Sequence, residues 1–186
     1  MKILRPWKTL SKENILNHNH FLQVEKHVVE LPDGQIIPDW SWVKMPDAVI
    51  MLAVTKEQQF VCFRQTRYAV EGTTLATAGG MIEENEVPLD AARRELMEET
   101  GYRSENWVDL GSYVLDPNRG MATMYFFLAL EAVYEREPNA DDLEDQELLL
   151  LSRSEIEKAL LAGEFKVLTS SAVVSMSLNY MNAYKR

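Results

Sequence analysis

Apolar and polar positions alternate in short runs along the first quarter of the chain. FLQVEKHVVEL and QIIPDWSWV read as two strands within residues 21–43, separated by Pro32-Asp33-Gly34. Asp-Gly between such runs predicts a tight hairpin, because Gly accepts the positive φ that the turn demands. AVIMLAV, residues 48–54, shows no alternation and reads as a strand buried on both faces. A second strand, FVCFRQTR, follows it across the polar stretch TKEQQ.

The period then changes. LDAARRELMEET, residues 89–100, is rich in good helix formers, with Pro88 suited to the first turn and Gly101 to the end. Strand-like segments return at 111–115 and 124–132, and the acidic run 139–147 reads as a loop. A short buried strand at 148–151 leads into Ser152-Arg153-Ser154-Glu155, a capping box that opens a helix to about residue 162. Gly163 ends that helix, and another fills much of 168–184. Strands before, between and after helices predict an α/β fold on a mixed sheet.

Length and charge narrow the function classes. At 186 residues the chain suits one domain with a small extension, and 46% hydrophobic with 26% charged residues excludes disordered and fibrous types. Nineteen Lys and Arg against twenty-nine Asp and Glu leave a net charge of −10, unfavourable for nucleic acid or an anionic membrane. The longest apolar runs, 48–54 and 124–130, have seven residues each, far short of the roughly 20 that span a bilayer. The first twenty residues lack a signal-peptide core, and the lone Cys62 has no partner for an internal disulfide. These features predict a cytoplasmic protein that binds neither nucleic acid nor membrane.

The candidate chemistry lies in GMIEENEVPLDAARRELMEETGY, residues 80–102, where seven of twenty-three residues are carboxylates. On a helix Glu95, Glu98 and Glu99 share a face, since positions three and four apart are neighbours. Like charges at that spacing repel unless something neutralises them, and hard divalent cations take such oxygen ligands. Arg94 is placed to brace one carboxylate, and Asp90 to Arg94 has favourable i,i+4 spacing. A solvated acidic face is the competing reading.

The spacing decides between them. Gly80, Glu86, Arg94, Glu95, Leu96, Glu98, Glu99, Gly101 and Tyr102 match all nine fixed positions of the Nudix box, and the sequence resembles a Nudix hydrolase. The resemblance implies an α/β/α sandwich with a mixed sheet, and cleavage of a nucleoside diphosphate linked to another moiety. It further implies Mg²⁺, or Mn²⁺, held by Glu95, Glu98 and Glu99 with a backbone carbonyl at Gly79.

Beyond the box, the resemblance runs from about Trp7 to the last helix and is nearest to the ADP-ribose pyrophosphatase branch. FRQTRY, residues 63–68, matches that branch's RQ-x-R strand end, which implies diphosphate contacts from Arg67 and more weakly Arg64. The branch's small N-terminal β-domain, here residues 1–45 ahead of a catalytic domain at 46–186, is exchanged across a homodimer. Its aromatics clamp adenine, and Phe21 and Trp40 occupy the matching places, with Trp42 competing for the second. A glutamate from the acidic loop serves as base, which implies Glu144 or Glu147, with Glu98 assisting from the box. Ala76-Thr77-Ala78-Gly79-Gly80 and Asn118-Arg119-Gly120-Met121-Ala122 depart from the branch's pattern, and Arg119 could favour another sugar or an extra phosphate. The function expected is therefore hydrolysis of ADP-ribose or a related nucleotide sugar to a nucleoside monophosphate and a sugar phosphate. The alternatives are a GDP-sugar or dinucleotide (NADH or FAD) pyrophosphatase, and a sensor that binds ADP-ribose without cutting it.

Overall fold

The computed structural model describes residues 4–19, 21–139 and 145–184. The described chain gathers into two compact units, one of residues 1–47 with 113–123 and one of 48–112 with 124–186.

The N-terminal unit is an antiparallel meander of β1 (Lys8–His18), β2 (Leu22–Glu30) and β3 (Ile36–Lys44). The hairpin between β2 and β3 turns at Gly34, whose φ is +89°, and closes with Gly34 N–H donating to Leu31 O at 2.9 Å. Alternation along β2 buries Glu25, His27 and Val29 on one face. Segment 116–121 docks on this sheet: Asp116 accepts from the amides of Asn118 and Arg119, and the Trp40 indole donates to Asn118 O at 2.8 Å. β1 was not evident in the sequence, because KTLSKENILNH lacks a clean alternation and all eleven of its residues are exposed.

The second unit is built on β4 (Ala48–Thr55), β5 (Phe60–Arg67), β6 (Val70–Ala76), β7 (Ala78–Met81) and β8 (Tyr102–Arg103). Strands β9 (Asn106–Asp116) and β10 (Gly120–Tyr134) run through both units, and β11 (Gln146–Leu151) completes the set. β10 runs parallel to β4, whereas β5, β7 and β11 pair antiparallel with their neighbours, so the sheet is mixed. The parallel pair is the most apolar part of the chain, as expected for strands covered on both faces.

Helices cover both faces of this sheet. Val49, Met51 and Ala53 face α1 (Pro88–Thr100), packing with Ala91, Ala92 and Leu96. The alternate residues Leu52 and Val54 face Ile156 of α2 (Arg153–Leu161) and Val174 and Leu178 of α3 (Leu168–Ala183). Ser152 and Glu155 form the capping box, and Gly101, at φ +72°, closes α1 by donating to Met97 O. Two segments differ from the sequence reading. β9 starts at Asn106 rather than 111, and β11 starts at Gln146, which places Glu147 in a strand rather than a loop.

Candidate active site

Helix α1 lies against β7, and the two elements carry the box. Ala91, Ala92, Leu96 and Thr100 form the buried stripe of the helix, and the small alanines let its backbone approach the sheet. Glu95, Glu98 and Glu99 are left half-buried on the flank. Glu99 is tied to β7 by the Gly79 amide, which donates to its Oε2 at 2.9 Å. A Cβ on Gly80 would run into the Glu95 carboxylate, and one on Gly79 would lie 2.5 Å from Val49 O, so both positions admit only glycine without rearrangement.

Arg94 organises the other carboxylates. Its Nε and Nη2 donate to the two oxygens of Glu86, each at 2.9 Å. Nη1 donates to Glu95 at 2.7 Å and Glu98 at 3.2 Å, and Nη2 also reaches Met81 O at 3.1 Å. The expected pair of Asp90 with Arg94 does not form. Asp90 takes Arg93 at 3.0 Å, because the Arg94 guanidinium is drawn inward by the three glutamates.

The electrostatics follow from this sharing. Hydrogen bonds from Arg94 hold Glu86 below the usual carboxylate range. Burial is the largest influence on Glu95 and pushes its carboxyl up, against the pull of Arg94. Arg94 itself is shifted upward, first by its hydrogen bonds to Glu86. One cation thus serves three carboxylates, with Glu99 alongside.

Among the described residues no three His, Cys, Asp or Glu side chains converge into a finished metal cage. Glu95 and Glu98 are instead turned onto Arg94. The donor set nevertheless fits a hard divalent cation: clustered carboxylate oxygens in negative excess, with the Glu95 carboxylate lying directly against Gly80, where any side chain would displace it.

The remaining residues are dispersed. Arg64, on β5, donates to Glu164 at 3.1 Å. Arg67, at the end of β5, lies against Gln65, whose amide oxygen accepts from Nε at 2.8 Å when the amide is oriented to satisfy both groups. Glu147 is exposed on β11 in register with Arg64, and Glu144 lies outside the described residues. In the N-terminal unit Trp40 lines a cavity of about 440 Å³ together with Trp7, Thr9, His27, Val29, Trp42, Pro117 and Asn118. Phe21 is 45% exposed and does not line it. Arg119 pairs with Asp116 at 3.5 Å.

The sequence reading gave no role to Glu25, His27 or Trp7. The period-two pattern of β2, which puts two titratable residues on the apolar face, was the signal for the first two.

Comparison with known proteins gives the family. Residues 44–169 match the NUDIX domain, and residues 7–43 match the nucleoside diphosphate sugar hydrolase N-terminal domain. The chain belongs to the Nudix hydrolase family and has the makings of a pyrophosphohydrolase. It is 33% identical over 143 residues to an ADP-ribose pyrophosphatase of Bacillus subtilis (strain 168), covering 76% of each chain. It is 28% identical over 169 residues to a GDP-mannose pyrophosphatase of Escherichia coli (strain K12), covering 85% of this chain and 88% of that one. Among solved structures, an ADP compounds hydrolase superposes with a TM-score of 0.80 over 98% of both chains, at 18% identity, a likeness of fold.

Proposed function

We propose that this protein hydrolyses the pyrophosphate of ADP-ribose, or of a related nucleoside diphosphate sugar, to a nucleoside monophosphate and a sugar phosphate. The observation that carries the reading is the box helix, where Glu86, Glu95 and Glu98 share the single cation Arg94 while Glu99 is fixed beside Gly79. Mg²⁺, with Mn²⁺ as the alternative, would be held by Glu95, Glu98 and Glu99 with the Gly79 carbonyl. When bound, such an ion shields the diphosphate charge and acidifies water.

The chain's own residues bind and move the proton. Arg67, supported by Arg64, offers guanidinium donors to the diphosphate oxygens, a geometry that suits arginine. Arg94 keeps Glu95 and Glu98 in register. Glu144 or Glu147 takes the proton of the attacking water as the bridging P–O bond breaks. Trp40, with Phe21 of the partner subunit, holds the base, and Arg119 favours a particular sugar or an extra phosphate.

The working form is a homodimer. β1 forms one end of the strand order β1-β2-β3, exposed along all its length, and carries Leu10, Ile15 and Leu16 uncovered. Such an edge invites strand pairing with a second copy. The unpaired, buried Cys62, its thiol pushed up to about 12 by burial, suits the cytoplasm.

The experiment is a substrate panel with purified protein and Mg²⁺: ADP-ribose, ADP-glucose, GDP-mannose, NADH and FAD. ADP-ribose or an ADP-sugar should lead. GDP-mannose in first place would favour the second reading, which the 28% identical relative supports. Turnover of none would overturn both.

A further inference from the structure

Behind the tryptophans of the N-terminal unit sits a buried polar pair that the reaction above does not use. His27 is 4% exposed yet lines the cavity. Its ring stacks on Trp42, with centroids 5.3 Å apart and planes inclined by 16°. Its Nε2 lies 2.7 Å from Glu25 Oε2, and Glu25 also takes Lys44. Hydrogen bonds from His27 and then Lys44 hold Glu25 below the usual carboxylate range, so it is ionised and can only accept. Nε2 therefore donates to that carboxylate, and Nδ1 is the second ring nitrogen. Among the described residues the imidazole has no second hydrogen bond. Nδ1 is the one polar atom that it can offer to a ligand.

We propose that His27, as the neutral imidazole, is a specificity-determining residue: a planar base enters the cavity against the tryptophans, and Nδ1 accepts a hydrogen bond from its exocyclic amino group. This rests on the reading that the substrate is a nucleotide. A purine with an amino group at that position is matched. One with a keto oxygen there sets acceptor against acceptor and leaves both unsatisfied in a half-buried site. Glu25 is the positioning residue that fixes the tautomer, and Lys44 secures Glu25.

AMP and IMP differ at that one group, and Trp7, Trp40 and Trp42 are three of the four tryptophans. Tryptophan fluorescence of the full-length protein titrated with each nucleotide should show quenching, with AMP bound about tenfold or more tighter than IMP. In His27→Phe, which keeps a ring against Trp42, the AMP-to-IMP ratio should fall toward one. In His27→Gln, whose amide oxygen still accepts, it should stay above the His27→Phe value. Equal affinities in the wild type overturn the proposal without any variant, as does an unchanged ratio in folded His27→Phe. Absence of quenching by either nucleotide means that no base enters the cavity and overturns it too. Because the readout is binding, a lack of ADP-ribose turnover would defeat the functional reading and leave this one standing.

Discussion

The Gly79 amide donates to the Glu99 carboxylate at 2.9 Å, joining the end of the box helix to the strand before it. The bond fixes one carboxylate of the cluster to the strand. It divides the cluster into a strand-anchored member and three members held by a cation.

Glu99→Gln and Glu95→Gln should each lower kcat by roughly 10²–10⁴, the equivalent of about 3–5 kcal/mol of transition-state charge stabilisation. Volume and helicity are kept, so circular dichroism should not change. Near wild-type rates for both at saturating Mg²⁺ would remove the metal assignment.

Arg94→Ala removes the cation that three carboxylates on one flank share. In EDTA the variant should lose about 2–4 kcal/mol, or roughly 4–16 °C in Tm for a chain of this length. Added Mg²⁺ should recover more stability in the variant than in the wild type. Identical Tm values in EDTA would show that Arg94 is dispensable to the fold.

Glu95 gives a pH signature of definite sign. Burial raises its folded-state pKa, so the folded chain holds that proton more tightly than the unfolded chain does. The advantage is complete below the ordinary glutamate range and is lost as pH rises through the raised value. Metal-free Glu95→Gln should therefore be more stable than wild type at neutral pH, and the gap should close on acidification. Denaturant titrations at several pH values in EDTA check this, and a gap that widens in acid would contradict it.

Glu144→Gln should reduce kcat by about 10²–10⁴ with little change in KM, the pattern of a base used in the chemical step. Glu147, exposed and held in β11, should tolerate the same change. Steady-state kinetics on both variants decides which glutamate serves, and a loss confined to Glu147→Gln would move the role three residues along.

Light scattering should give twice 21.4 kDa at micromolar concentration. Replacing exposed Leu10, Ile15 and Leu16 on β1 with lysine should shift the mass to the monomer, since charge on an edge strand blocks pairing. A monomeric wild type would refute the dimer.

The sequence by itself determined the parts governed by local chemistry. Pro88 and Gly101 bound α1, Ser152 and Glu155 cap α2, and Asp33-Gly34 turns the hairpin, because each acts through its own backbone or nearest neighbours. The box was legible for the same reason: nine residues at fixed helical spacing are a local pattern. Tertiary structure decided what depends on competition between distant groups. Arg94 chose Glu86, Glu95 and Glu98 over Asp90, since an inward guanidinium gains three charged partners rather than one. β1 emerged only through its pairing with β2, as an exposed strand has no apolar face to write into its sequence. The setting of His27 likewise arose from register, which aligned β2 with β3 and brought Glu25 opposite Trp42 and His27 opposite Trp40. Cross-strand neighbours are set by pairing, and pairing is a property of the folded chain.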